Sequence, residues 1–190
     1  IADRFANPKF IAADILAQLE HDINAKAYLA TNSRELITKV KLNIKKQRDS
    51  LKTKKVIDDS IKNLKIILLK KLDDAVKSAN EIAPEHLELQ IERPMIMAEK
   101  LRNYGSLFIG EYSAEAFGDY CSGTNHVLPT NGGARFASGL SVRDFVKLQT
   151  YQKISKKAAE RLGKTALILS KIEGLDAHNK SVKARLGKTI

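Results

Sequence analysis

The alternation of amphipathic and short apolar segments between residues 8 and 110 constrains the fold most. Ile11, Ile15 and Leu19 recur at helical spacing in a segment that Asn7 and Pro8 can begin, which predicts a helix over 8–21. The stretch "AKAYLAT" that follows has the length and character of a short buried strand. The same order then repeats, so we expect an α/β fold with a parallel or mostly parallel sheet.

The later segments continue this pattern and then depart from it. The further strand candidates are "LKIILL", "HLELQI" and "SLFIG", and the further helix candidates are a Lys-rich helix capped within 31–33, then 73–82 and 94–102. After about residue 141 no strand-like run occurs, and a helical stripe ends at Gly174: Leu162, Ala166, Leu169 and Ile172. We therefore predict an α/β portion over 1–140 and a helical extension with a small helical domain over 141–190.

Composition narrows the class of protein. The single cysteine in 190 residues precludes an internal disulfide, and no apolar run reaches the roughly 18 residues of a membrane span, which predicts a soluble cytoplasmic protein without a membrane partner. The net charge of +11 would permit nucleic-acid binding. However, the Lys-rich stretch 39–77 mixes lysines with acids at helical spacing and lacks aromatic side chains, so a solvated helical face is favoured over a nucleic-acid site.

The candidate metal ligands are polar side chains from separate segments. Gln18 and His21 lie three residues apart on the first predicted helix, so they share a face and could converge on one ion with Asp119 and His178. Nitrogen and oxygen ligands from distant segments are typical of a catalytic Zn²⁺ site. The alternative is structural: Gln18 and His21 would then be the polar end of an amphipathic helix, and His178 a packed histidine.

Two other stretches carry polar groups at predicted turns. Glu85 and His86 follow Pro84 at the entrance to a strand, where both could be ordinary loop residues. Asp119 follows Gly118 in "GDYCSGTNHVLPT", where Asp is common for local hydrogen-bonding reasons. Spacing alone leaves both stretches open to a structural or a functional interpretation.

Four segments, taken together, resemble a known family. "IAADILAQLEHD", "APEHLELQ", "GEYSAEAFGDYCSGTNHVLPTNGGARF" and "EGLDAH" are similar, in this order, to segments of histidinol dehydrogenases, and the resemblance covers essentially the whole chain. It implies a partial Rossmann-like, incomplete doubly wound sheet domain with a small C-terminal helical domain. It also implies oxidation of L-histidinol to L-histidine through histidinal, in two NAD-dependent hydride transfers with one Zn²⁺ per active site.

The resemblance also implies roles for individual residues. The implied zinc ligands are Gln18, His21, Asp119 and His178, and the implied substrate contacts are these four with His86 and Glu173. His86 would take the alcohol proton, and Glu85 would help to activate the water that attacks the aldehyde. The segment 118–130 would be an active-site loop, in which Asp119 reaches the metal and glycines let the backbone turn closely.

The resemblance covers only part of the family's length, because its members are more than twice as long. It implies that the main NAD contacts lie in the part that precedes this segment, so no cofactor-binding residue is expected within the chain. Family members are homodimers whose C-terminal helical region completes the partner's active site. The alternative is a truncated zinc- or ligand-binding protein without redox activity.

Overall fold

The computed structural model describes residues 1–187 and divides the chain into two compact units, Ile1–Phe145 and Val146–Ile190. The helices of the first unit are α1 Pro8–Leu19, α2 Arg34–Arg48, α3 Lys54–Ser60, α4 Asp74–Ile82, α5 Pro94–Ala98 and α6 Glu115–Tyr120. Its strands are β1 Ala27–Thr31, β2 Leu64–Leu68, β3 His86–Leu89 and β4 Ser106–Ile109. The predicted alternation of helices and strands is confirmed.

All strand pairs of this unit are parallel. β1 pairs with β2 in the register Ala27 to Leu64, and β3 pairs with β4 in the register His86 to Ser106. Ala2 lies between the two pairs and forms one parallel bridge to Thr31 and another to Gln90. The α/β class with parallel strands is therefore correct, and the short contact at Ala2 links its two strand pairs.

The larger apolar core lies around β1, where α1, α2 and α3 pack. Asn7 begins α1 by accepting a hydrogen bond from the Lys9 backbone N–H, and Ser33 does the same for Leu36 at α2. The most deeply buried side chains of this core include Leu19, Val40 and Ile57. On α1, Ile11, Ile15 and Leu19 are buried and recur at helical spacing, which fixes the side of α1 that faces the core and the side that remains for polar groups.

A smaller apolar core lies around β3 and β4, where Leu87 and Leu89 pack with Met97 and Leu101. The helix predicted over 94–102 is wrong at its end, since α5 stops at Ala98.

The reason for this early end is a side-chain contact. Asn80 on α4 accepts hydrogen bonds from the backbone N–H groups of Arg102 and Asn103. Because these two backbone N–H groups donate to the Asn80 side chain, they are not used for the hydrogen bonds that would extend α5.

The second unit contains α7 Lys156–Ile172 and α8 Asp176–Arg185. Gly174 follows α7 with φ +71°, a left-handed conformation that glycine adopts without strain, as predicted for the helix end. Asn179 on α8 donates hydrogen bonds to the Leu167 carbonyl and the Ser170 hydroxyl of α7, which ties the two helices together. Within residues 1–187, no helix combines the length and the apolar character that crossing a membrane requires.

Candidate functional site

His86, the first residue of β3, faces α1. Its side chain is 15% exposed, and its Nδ1 lies 3.2 Å from Oε1 of Gln18. α1 presents Gln18 at this point because its apolar side is packed into the larger core. Since an amide oxygen only accepts hydrogen bonds, this contact places the imidazole proton on Nδ1 and leaves a lone pair on Nε2.

Glu115, the first residue of α6, faces the other nitrogen of His86. Its side chain is 7% exposed, and its Oε1 lies 3.6 Å from Nε2 of His86. Among the described residues, neither atom has a hydrogen-bond partner. Asp119 lies one turn later on α6, and ligating atoms of His86, Glu115 and Asp119 all lie within 4.8 Å of one another. Three donor atoms at this spacing can bind a cation or exchange protons.

The surroundings of His86 favour its uncharged form. Burial lowers the pKa of His86 below its usual 6.5, and the nearby charge of His21 lowers it further. The carboxylates of Glu85 and Asp119 act in the opposite direction, but burial is the larger effect. The imidazole is therefore mainly neutral at pH 7, which is the form that accepts a proton.

Glu115 has the opposite perturbation. Burial raises the pKa of Glu115 to about 7, and the charge of Asp119 and a hydrogen bond with Asp119 raise it further. Glu88 and Asp14 add smaller effects in the same direction. Glu115 is thus poised between its protonated and ionised forms near neutral pH.

Asp14, Glu88 and Gln90 form a second polar group behind His86. The Gln90 amide donates hydrogen bonds to Oδ2 of Asp14 at 2.9 Å and to Oε2 of Glu88 at 3.1 Å. Burial, followed by the charge of Asp14, raises the pKa of Glu88 to about 7, and burial also raises the pKa of Asp14. These carboxyl groups add negative charge to the same region.

A cavity of about 790 Å³ opens between β1 and β3. Its polar wall includes Gln18, Glu85, His86, Glu88 and Glu115. This volume lies within the range of pockets that bind small molecules, and such pockets carry a few polar groups that fix the orientation of the ligand. The proton-accepting histidine and the buried carboxyl groups therefore border one space.

Asp119 lies in the last turn of α6, so the prediction that it belongs to a loop is wrong. Gly118 is needed for packing rather than for a turn, because a Cβ there would lie 2.6 Å from the Phe108 ring. The expectation of a close turn is correct at Gly123, whose φ is +92°. The helix fixes Asp119 one turn from Glu115, which a loop would not do.

The structure brings several of the sequence-predicted residues together. His86 contacts Gln18, has Asp119 within ligand distance, and has Glu85 and His21 close enough for their charges to affect its pKa. The other two predicted residues lie in the second unit: Glu173 directly follows α7, and His178 is an exposed residue of α8. The complete zinc ligand set and the substrate contacts remain predictions.

Four polar residues of the site were missed from the sequence, namely Asp14, Glu88, Gln90 and Glu115. Periodicity offered a signal for each of them. Asp14 precedes Gln18 by one helical turn, and Glu115 precedes Asp119 by one turn. Glu88 and Gln90 lie two and four residues after His86, so the three residues share one face of a strand. Polar residues at these spacings would have indicated a shared polar wall.

Known proteins match this chain closely. The histidinol dehydrogenase family model matches residues 1–186. The chain belongs to the histidinol dehydrogenase family. It is 49% identical over 186 residues to histidinol dehydrogenase of Caldanaerobacter subterraneus subsp. tengcongensis, covering 97% of this chain and 43% of the relative. It is 44% identical to the Lactococcus lactis subsp. lactis enzyme over 186 residues, with the same coverage of both chains.

A solved structure agrees with the family assignment. The crystal structure of histidinol dehydrogenase from Elizabethkingia anophelis superimposes with a TM-score of 0.94 at 37% sequence identity, covering 98% of this chain and 43% of that chain. The chain thus spans 43% of the length of the histidinol dehydrogenases that it matches. The family is an oxidoreductase family of histidine biosynthesis.

Proposed function

We propose that this chain carries the acid/base and zinc-binding portion of a histidinol dehydrogenase, which oxidises L-histidinol to L-histidine through histidinal with NAD. The observation that carries the proposal is the setting of His86 in a chain of this family. The imidazole is only 15% exposed, mainly uncharged at neutral pH, and held on its Nδ1 side by Gln18 at the wall of the cavity.

In this proposal His86 is the base for the alcohol step. The hydroxyl proton of histidinol passes to Nε2, while the hydrogen on the carbinol carbon leaves as hydride to NAD⁺ and a carbonyl forms. Gln18 keeps the ring in the tautomer whose Nε2 carries the lone pair. A lowered pKa favours this role because the base must be uncharged before each turnover.

Glu85 is proposed as the base for the hydration step. Its carboxylate removes a proton from water as the water oxygen adds to the aldehyde carbon, while the carbonyl oxygen takes the proton held on Nε2 of His86. The hydrate then gives the second hydride to another NAD⁺ as one of its hydroxyl protons passes to Nε2. Glu85 lines the same cavity as His86, and its charge acts on the pKa of His86, so the two groups adjoin one reacting centre.

The proposed zinc ligands are Gln18, His21, Asp119 and His178, and the proposed substrate contacts add His86 and Glu173. The donor chemistry around Asp119 and Gln18 suits zinc, since Asp119 lies within 4.8 Å of the ligating atoms of His86 and Glu115, and Gln18 contacts the same imidazole. When bound, zinc supplies a fixed positive charge that orients the amino and imidazole groups of histidinol.

The remaining features of the proposal follow from the family. We place the α/β unit in a Rossmann-like, doubly wound sheet, supported by its all-parallel strand pairs with helices between them. The NAD contacts are assigned to the rest of the family's length, since the chain spans 43% of its relatives. We also propose a cytoplasmic homodimer in which the helical unit carrying Glu173 and His178 completes the site of the partner copy.

A chimera tests the dehydrogenase proposal. This chain would replace the matching 186-residue segment of the Caldanaerobacter enzyme, and histidinol-dependent formation of NADH would be measured. We expect turnover, and a loss of roughly 10²–10⁴-fold in kcat with His86→Asn. Glu85→Gln should slow the aldehyde step, whereas the exposed neighbour Glu81→Gln should not. A folded chimera without turnover, or a His86→Asn variant with full kcat, would contradict the proposal.

The second candidate is a zinc- or ligand-binding protein without redox activity, which the cluster of ligating atoms from His86, Glu115 and Asp119 favours. Zinc content and NADH formation separate the two candidates. Zinc bound by the chain, together with an inactive but folded chimera, would support the second candidate over the first.

A further inference from the structure

We propose that His86, Glu115 and Asp119 form a second, alternative position for a divalent cation of the zinc type. This position shares Asp119 with the proposed ligand set but replaces its two imidazoles, those of His21 and His178, by the single imidazole of His86.

The distance between the two buried atoms carries the inference. Nε2 of His86 and Oε1 of Glu115 lie 3.6 Å apart, beyond a hydrogen bond, and neither has another partner among the described residues. Bonds of about 2.1 Å to one zinc ion would close this 3.6 Å separation at an angle of roughly 118°, near the ~109° of a tetrahedral site. The two atoms therefore already have the spacing of ligands to a common ion.

The direction of the lone pairs supports the same conclusion. Gln18 accepts the Nδ1 proton of His86, so the lone pair on Nε2 is directed towards the carboxyl oxygen of Glu115. Two acceptor atoms that face each other in a buried space repel unless a proton or a cation lies between them. Glu115 is also held in place, because α6 begins at this residue and its side chain is 93% shielded from solvent.

Asp119 supplies the third ligand. Its carboxylate lies one helical turn beyond Glu115, and one of its oxygens lies within 4.8 Å of a ligating atom of His86 and of Glu115. Rotation of this short side chain can bring it into the first coordination sphere, and water or substrate would fill the fourth position, as in catalytic zinc sites.

The existence of this second position does not depend on the proposed function, but its expected effect on turnover rests on that function. An ion at this position occupies Nε2 of His86, the atom that the alcohol step requires as a base. Zinc in excess of the amount that fills the first position would then inhibit turnover, and histidinol would compete with it.

The test uses the whole chain with the first position disabled. In the double variant His21→Ala/His178→Ala, both imidazoles of the proposed ligand set are gone, and the only remaining histidines are His86 and His126. Zinc binding would be measured by calorimetry, and the ring nitrogens of the two ¹⁵N-labelled histidines would be followed by NMR during the titration.

We expect the double variant to bind one zinc ion with a large shift of the His86 Nε2 resonance and none of His126. Adding Glu115→Gln should weaken this binding at least tenfold, while the nearby Glu111→Gln should leave it unchanged. The idea is overturned if the double variant binds no zinc, if binding persists unchanged in Glu115→Gln, or if His86 does not respond. A folded circular dichroism spectrum of each variant excludes unfolding as the cause.

The proposed function has a separate outcome in the same experiment. It requires that the wild type bind zinc more tightly than the His21→Ala/His178→Ala variant. Equal affinities would contradict the proposed ligand set, whereas the dependence of the residual binding on Glu115 tests only the second position.

Discussion

The two halves of the α/β unit bury different kinds of side chain. The β1–β2 half, made of α1, β1, α2, α3 and β2, is closed by aliphatic side chains in the larger core. The β3–β4 half, made of α4, β3, α5, β4 and α6, has a smaller core and holds the carboxyl groups of Glu88 and Glu115. The first half supplies most of the apolar burial, and the second half contains groups whose burial opposes their ionisation. Most of the apolar burial thus lies in one half and most of the buried acidic groups in the other, while α1 contributes Asp14 and Gln18 to the site.

The largest expected effect comes from the core of the β1–β2 half. Leu19 is fully buried, so Leu19→Ala should lower the free energy of unfolding by about 2–5 kcal/mol through lost burial and the cavity left behind. Leu42→Ala, at a position on α2 that is 66% exposed, should change it by less than about 0.5 kcal/mol. Urea unfolding measures both values. Similar losses in the two variants would show that this core does not dominate stability.

Glu88→Gln tests the cost of buried charge in the β3–β4 half. Because the pKa of Glu88 is raised to about 7 from 4.5, the folded state holds a proton that the unfolded chain has lost. Its favourable contribution is full below about pH 4.5 and disappears as the pH rises through about 7. Relative to the wild type, Glu88→Gln should therefore gain stability between pH 5 and pH 8, on the order of 2 kcal/mol.

The comparison requires unfolding curves at both pH values with EDTA present, so that metal binding does not contribute. Glu92→Gln, at an exposed position two residues beyond Gln90, serves as the control and should show no such gain. A Glu88→Gln variant whose stability follows the wild type at every pH would mean that Glu88 is ionised without cost in the folded chain.

α1 connects the two halves, because it packs in the larger core and also presents Gln18 to His86. A substitution at its N-terminus therefore tests how much α1 contributes to stability. Asn7→Ala removes the side-chain acceptor of the Lys9 backbone N–H and should cost about 1 kcal/mol. Asn43→Ala, within α2, removes no cap and should be neutral or slightly stabilising. Equal effects of the two changes in thermal unfolding would contradict the capping role.

Local patterns in the sequence predicted the elements of both halves, but they predicted the site less completely. The strand "LKIILL" and the cap at Ser33 depend on neighbouring residues, so periodicity reveals them. The early end of α5 depends on hydrogen bonds to Asn80, which lies on another helix. The helical position of Asp119 depends on the close packing of Gly118 against the Phe108 ring. Contacts between distant segments leave no periodic signal, and only the family resemblance implied catalytic roles for His86 and Glu85.

Gln18→Ala should have the smallest effect on stability, less than about 0.5 kcal/mol, since Gln18 is only half-buried. Its effect on the site should be larger, because His86 loses the acceptor for its Nδ1 proton. The ¹⁵N spectrum of the His86 ring should then show both neutral tautomers, whereas the wild type should show the form with the proton on Nδ1. An unchanged ring spectrum would mean that Gln18 does not determine the tautomer.

The location of bound zinc tests the central claim most directly. Crystals of the chain grown with one equivalent of zinc would be measured at the zinc absorption edge, where anomalous scattering locates the ion. We predict an ion within about 2.1 Å of the ligand atoms of Gln18, His21 and Asp119, with His178 of either copy as the fourth ligand. An ion bound away from Asp119, or no ordered ion at all, would contradict the proposed zinc ligand set.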